Sequence, residues 1–234
     1  MAQEGFWSPD PIDHIHAFLG RGISDKGGVL AHTYAFVRNL GYSLQYLQFL
    51  DYTLRETPLH FTVHTQTQKS FVITGMSLIE AILWYVLRKN NMHRTEEWEQ
   101  VQELETRTFK EAEGDYRIIN HVQRRLAAPV EAEMPLDAMI KRVESKKLLG
   151  LDIQVYKDLN YLRKLRNRVH IHAVQHDKDT DWWSFSEKEV KLMKKVLDSV
   201  LRTKLFSPEP QHEPLLAFLA VPEPADKLAD DVPF

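Results

Sequence analysis

Residues 155–172, VYKDLNYLRKLRNRVHIH, bring together guanidiniums that can grip an anion, an amide, and two imidazoles that can move a proton. Val155, Leu159, Leu162, Leu165 and Val169 recur at three- and four-residue steps, the spacing of one apolar stripe on a helix. At about 100° per residue, Arg163, Arg166, Asn167 and His170 then fall within an arc of about 100° beside that stripe. A planar guanidinium holds two phosphate oxygens by parallel contacts, which a lysine cannot do. An imidazole takes up or releases a proton near neutral pH. From Lys157 to Arg168, five basic residues and one acid give a local charge of +4 in a chain of net charge −3. That concentration attracts a phosphodiester locally. A solvated basic helix face would account for the lysines, but less well for Asn167 next to two histidines.

Helices must position this flank. Residues 67–90 carry apolar side chains around nearly the whole circumference, from Phe71 to Leu87, as a helix in the middle of a bundle does. Glu80 is the exception. A carboxylate there needs a basic partner, and if Arg163 or Arg166 is that partner, Glu80 orients the active arginine. Residues 29–56 read as a second long helix. Its Tyr42, Tyr46, Phe49 and Tyr52 fit a core and dimer face better than a base-stacking surface, and Gly41 marks close helix packing. Residues 57–66 form a connection with some strand character. Residues 136–149 form a further helix stopped by Gly150. Ser186 and Glu189 make a capping box that opens a final helix to about residue 205. Trp182 and Trp183 are expected to lock its entry onto the core rather than stack on a base.

Residues 91–133 differ in character. Thr95 to Glu113 holds seven acidic and two basic residues, a net −5. Two extended runs flank the turn Glu113-Gly114-Asp115, which predicts a β-hairpin inserted into the helical domain. Its acidic arm is a poor RNA surface and fits a dimer contact or simple solvation. Residues 1–28 have loop or short-helix composition. Residues 206–234 read as a loose, Pro-rich acidic tail, in which the run LLAFLAV can dock on the domain or on a partner.

LRKLRNRVHIH, an Arg-Asn pair followed by histidine at the end of an amphipathic helix, resembles the signature of HEPN domains. In that family an arginine, usually with a polar residue next, precedes a histidine by four to six intervening residues. Arg166 to His172 has five between and Arg163 to His170 has six, while Arg166 to His170 has three, one short. Which of His170 and His172 works therefore stays open. The context is SLIEAILWYVL upstream and MIKRVESKKLLG before the motif helix, and the resemblance covers roughly residues 29–90 and 134–205.

The resemblance implies a mainly α fold, a HEPN-like antiparallel helical bundle spanning residues 29–205, and a homodimer. It also implies a metal-independent endoribonuclease acting on RNA, with no cofactor, in a toxin–antitoxin or phage-defence setting with a neutralising or regulatory protein partner. His172 or His170 would take the 2′-hydroxyl proton, and the 2′-oxygen would attack its own phosphate. Arg166 would bind the charge that builds on the non-bridging oxygens. Asn167 would fix the histidine tautomer or hold a phosphate oxygen, with Arg163, Lys164 and Arg168 on the substrate. One histidine per chain does not easily serve as both base and acid, so a two-fold dimer would complete the site.

Three alternatives stand beside this reading. A non-catalytic HEPN module would bind RNA, a nucleotide or a partner protein. A metal site would use His172 and His176 with Asp177, Asp179 and Asp181. A purely structural cluster would hold a dimer together.

Composition narrows the field further. A net charge of −3 excludes nucleic-acid binding by bulk charge but leaves room for a local basic site. The absence of cysteine excludes disulfides and thiol catalysis and fits a reducing compartment. MAQEGFWSPDPIDH has no basic region followed by an apolar core, so no secretory signal is read there. The longest apolar run is broken by Thr74, Gly75, Ser77 and Glu80, which argues against a membrane span. A cytoplasmic protein is expected.

Overall fold

The computed structural model describes residues 7–24, 28–172, 176–177 and 179–221. Among them the chain is mainly α-helical, with one two-stranded antiparallel sheet. The helices are α1 (Ile12–Gly22), α2 (Thr33–Glu56), α3 (Phe61–Lys89), α4 (Leu136–Ser145), α5 (Ile153–Arg166), α6 (Asp181–Ser184), α7 (Glu187–Leu201) and α8 (Glu213–Leu216). Strands β1 (Thr95–Glu111) and β2 (Gly114–Glu131) lie between α3 and α4.

α3 is the axis of the body. Its side chains from Phe71 to Leu87 are buried on nearly every side, and α2, α4, α5, α6 and α7 pack around it. It is long and apolar enough to cross a membrane by length and composition alone, but 61% of its most apolar window is buried inside the protein. α3 begins at Phe61, so the strand character expected for residues 57–66 gives way to helix. The reason is tertiary. Thr65, Gln68 and Lys69 of this turn are buried against the rest of the body, and that packing overrides local β-propensity.

α1 places Ile15, Phe18, Leu19 and Gly22 on one buried face, the i, i+3, i+4, i+7 pattern of an amphipathic helix. It crosses α2 at Gly41, where an added Cβ would stand 2.9 Å from Ile12 Cδ1. The outer face of α2 leaves Tyr34, Tyr42, Tyr46 and Phe49 exposed. α7 opens with the expected capping box, Ser186 and Glu189 satisfying each other's backbone N–H groups. Trp182 and Trp183, however, do not lock it onto the core. Both are exposed, and Phe185 is the buried residue at that entry.

Residues after α7 are not loose. Phe206, Leu215, Leu216 and Leu219 are buried, and Arg202 pairs bidentately with Glu213 at 2.7 Å through each nitrogen. Proline and acid content suggested a tail, but the four apolar side chains have a face of α1, α2 and α7 to cover. Residues 222–234 lie outside the described part.

The hairpin is found where expected, with its two-residue turn at Ala112–Glu113 and Gly114 following at φ +144°. No residue of either strand is buried. Its root is tied to the body by Arg88 with Glu131 (3.1 Å) and by Arg142 donating to the Met92 carbonyl (3.1 Å).

Gly22 ends α1 against the segment after α7. A Cβ there would meet the Leu205 carbonyl oxygen at 2.6 Å and Phe206 Cδ1 at 2.7 Å, whereas at Gly20 it would meet nothing within 4 Å. Gly22→Ala is therefore expected to cost about 1–3 kcal/mol through overpacking. Gly20→Ala in the same helix should be neutral or stabilising by up to about 1 kcal/mol. Urea unfolding of the two variants checks the pair, and equal midpoints would contradict the packing described.

Candidate functional site

α5 starts at an N-cap, Asp152, whose side chain accepts from the Gln154 N–H at 2.7 Å. Val155, Tyr156, Leu159, Leu162 and Leu165 are its buried face, against α3, α4 and α7. Arg163, Lys164 and Arg166 fill its last turn, where cations oppose the negative end of the helix dipole. The helix ends at Arg166. A single 3₁₀ turn, Asn167–Val169, follows, and His170 is extended.

The continuous helix expected through residue 172 is therefore corrected, and His170 does not share a helical arc with Arg163 and Arg166. Val169 does not continue the apolar stripe either; it is exposed. The physical reason is that the buried face stops at Leu165. Beyond it nothing rewards helical backbone, and the chain tightens into a 3₁₀ turn.

The predicted residues separate into two neighbourhoods. In the first, Arg166 Nη2 donates to Glu80 Oε2 at 2.8 Å, each side chain about 30% exposed (31% and 28%). Glu80, the one carboxylate of the apolar helix α3, is thus partnered by the motif arginine, and a water-accessible edge remains on both groups. Arg163 lies one turn earlier, with a buried Nε that has no hydrogen-bond partner.

In the second neighbourhood, Arg168 turns inward. It donates to Asp179 Oδ1 at 2.5 Å and to the Asp179 carbonyl at 2.9 Å, and its Nε lies 3.7 Å from Asp181 Oδ1. Asp181 also accepts from Lys69 Nζ at 2.8 Å and Gln66 Nε2 at 3.2 Å. A cavity of about 220 Å³ opens beside this cage, lined by Lys69, Arg168, His170, Ile171 and Thr180 with the two aspartates. Lys164, Asn167, His170 and His172 are exposed, and the two imidazole rings stand 6.0 Å apart.

Lys69, Asp179 and Asp181 are residues that motif reading did not join to Arg168, because Lys69 is 112 residues from Asp181. One signal pointed to Lys69: a lysine at the start of an apolar helix needs a counter-charge. Two of the three aspartates that a metal site would have used, Asp179 and Asp181, are taken up by Arg168 and Lys69. Among the described residues no group of three or more His, Asp or Glu side chains stands close enough to share an ion.

Burial alone would raise the Asp181 carboxyl. The hydrogen bonds from Lys69 and Gln66 and the charges of Lys69 and Arg168 outweigh it and hold the group below its ordinary 3.8.

The arrangement offers a part-exposed guanidinium fixed by a carboxylate, an adjacent surface loop with two imidazoles and an amide, and exposed Trp182 and Trp183 on α6. It can hold an oxyanion and move protons at the surface. Comparison with protein-family models, curated proteins and solved structures finds no significant match.

Asp181 links the loop after the motif to α3, and its lowered pKa makes that link pH-dependent. Its stabilising effect is fully present above the ordinary carboxylate value and is lost as pH falls through the lower folded value. Asp181→Asn is expected to lose about 1–3 kcal/mol at neutral pH, less than a fully buried pair because the carboxyl is about a quarter exposed. The gap from the unaltered protein should close on acidification through the carboxylate range. Thermal unfolding measured from pH 7 to pH 3 reads this, and a constant gap across the range would contradict the assignment.

Proposed function

We propose that this chain is a HEPN-like, metal-independent endoribonuclease, with Arg166 as the phosphate-binding group and His170 and His172 as the proton-moving groups. The observation that carries the proposal is the Glu80–Arg166 pair. A carboxylate placed on an otherwise apolar helix fixes the very guanidinium that the motif singles out, and leaves it partly open to solvent.

In the reaction, one imidazole takes the proton of the RNA 2′-hydroxyl. The 2′-oxygen bonds to the adjacent phosphorus, and the bond from phosphorus to the 5′-oxygen breaks. A protonated imidazole gives that leaving oxygen its proton. The products are a 2′,3′-cyclic phosphate and a 5′-hydroxyl, with no change of oxidation state. Arg166 meets the charge that builds on the non-bridging oxygens, Asn167 and Lys164 hold the flanking phosphate, and Glu80 positions Arg166. The His170 and His172 rings stand 6.0 Å apart in one chain, so in this reading one phosphodiester bound above them reaches both. Base and acid can then be divided within one protomer, and a homodimer is no longer demanded by the proton count.

Arg168, held by Asp179, serves in this reading as a loop anchor rather than as a substrate contact. The HEPN resemblance carries the remainder of the reading: a helical-bundle fold of that type, a cytoplasmic toxin or phage-defence setting, a homodimer, and a neutralising protein partner.

A second reading is favoured by one observation. Arg166 and Arg168 are both matched by carboxylates, which lowers the positive potential at the loop. A module that binds RNA or a partner protein without cleaving it would tolerate this.

Single-stranded RNA incubated with the protein in excess chelator is expected to yield ends bearing a 2′,3′-cyclic phosphate, read by mass spectrometry. Arg166→Ala should lower kcat by about 10²–10³-fold, the usual loss of one transition-state donor. His170→Ala and His172→Ala, made separately, identify the base and the acid. Glu80→Gln should lower kcat more than it raises KM, with partial rescue by Glu80→Asp. Binding without cleavage returns the module, and activity abolished by chelator and restored by Mn²⁺ or Zn²⁺ removes the proposed mechanism.

A further inference from the structure

Two tryptophans stand in water beside the motif loop, and the core does not account for them. Trp182 and Trp183 of α6 are 51% and 76% exposed, while Phe185 is the ring that enters the core. Large apolar rings left in water forfeit the burial that would reward them. The turn that carries them is nonetheless firmly fastened. Asp181, its first residue, accepts from Lys69 at 2.8 Å and from Gln66 at 3.2 Å, both on α3. The Ser184 hydroxyl donates back to the Thr180 carbonyl at 3.2 Å. Phe61, itself 60% exposed, meets Trp182 in a T-shaped contact, with ring centroids 5.3 Å apart and planes at 84°. Such a contact uses at most one face of the indole and fixes its tilt.

The surroundings indicate what the open faces are for. Beside the Phe61–Trp182 pair lies an open recess of about 420 Å³, with Leu59 and Phe185 on its apolar wall and His64 and Glu187 among its polar groups. π faces suit the plane of a heteroaromatic ring, and polar groups suit its edge. On its other side α6 borders the motif loop, because Thr180 and Asp181 line the 220 Å³ cavity together with His170 and Ile171. A protein partner is a poor fit. Even if each ring offers about 250 Å² when fully covered, the exposed shares of the three rings stay below about 500 Å², short of the roughly 800 Å² per partner of a stable protein interface. One or two planar rings would cover them.

We infer that Trp182 and Trp183, with Phe61 positioning the first, form a stacking subsite for an unpaired nucleobase of a strand whose phosphate lies at the motif loop. The subsite rests on the RNA reading above and adds a substrate class to it: single-stranded RNA. In a duplex the base faces are taken up by their neighbours, whereas splayed bases are free to stack on aromatic side chains. Every base has a π face, so the subsite selects unpaired regions with little preference for sequence.

A short 2′-O-methyl oligonucleotide lacks the attacking hydroxyl, so its affinity, read by fluorescence anisotropy, is separate from cleavage. Trp182→Ala and Trp183→Ala are each expected to weaken binding about 5- to 100-fold, the usual worth of one stacked base. Trp183→Phe should recover most of the loss, and Trp183→Leu, apolar but without a π face, little of it. The urea midpoint of Trp183→Ala should match that of the unaltered protein. An abasic scan of the strand should find a position whose removal weakens the unaltered protein by a similar factor and hardly affects a variant with both tryptophans replaced by alanine. With cleavable RNA the same substitutions should raise KM rather than lower kcat. Unchanged affinity and KM in both alanine variants, recovery by leucine equal to that by phenylalanine, or an abasic scan without effect would each overturn the subsite and leave the roles of Arg166 and the histidines intact. An unaltered protein that neither binds nor cleaves any strand would overturn the RNA reading and the subsite together.

Discussion

A helix that is apolar on nearly every side must be covered on every side, and α3 imposes that demand on the whole body. The hydrophobic effect scales with area removed from water, and one neighbour cannot cover a full circumference. α2, α4, α5 and α7 are therefore arranged around α3. Two of the charges α3 retains within this packing, Lys69 and Glu80, need counter-charges from the motif region. Both come from the same region of the chain: Arg166 supplies the partner for Glu80 and Asp181 the partner for Lys69. The loop that holds His170 and His172 is strung between these two anchors. They are eleven positions apart on α3, which is about 16 Å along its axis. The core thus dictates where the chemistry-bearing loop begins and where it ends.

These pairs matter more for position than for stability. Arg166 and Glu80 are each about 30% exposed, where screening keeps an ion pair to a fraction of its Coulomb energy. The direction of the guanidinium is worth more than its binding energy. A guanidinium held at one nitrogen still has further N–H donors in a fixed plane, and a lysine in its place would present a freely rotating point charge. The Arg168–Asp179 contact fixes the far side of the loop by both side-chain and backbone acceptors.

Periodicity made the long helices legible, because apolar residues at three- and four-residue steps have few other uses. The hairpin was legible from β-branched residues and a glycine turn, and the S-x-x-E box marked the start of α7. Glu80 was legible as a charge in need of a partner, though not whether Arg163 or Arg166 would supply it. The rest depended on long-range contacts. Val169 fits the stripe by spacing, but no surface of α3 or α7 extends far enough to bury it, so the helix stops at Arg166. Phe61 to Gln66 look like a connection until the burial of Thr65 and Gln68 makes helix the better choice. Trp182 and Trp183 are larger than Phe185, and size alone suggested the wrong anchor. The Arg168 cage joins residues 69, 168, 179 and 181, a separation that no local pattern displays.

The two faces of the hairpin show the same dependence in sharper form. Read along the strand, β1 is an acidic segment with scattered apolar residues. Irregularities between Gln100 and Gln102 and between Glu105 and Arg107 each shift the alternation by one residue. A bulge of this kind changes which face every later side chain occupies. The shift between Glu105 and Arg107 is what brings Leu104 to the side of Phe109 and Ile118. An unbroken alternation along β1 would have put Leu104 and Phe109 on opposite faces. The hairpin root adjoins a cavity lined by Phe36, Glu80, Trp84, Glu131 and Met139, so the arm starts next to the carboxylate that holds Arg166.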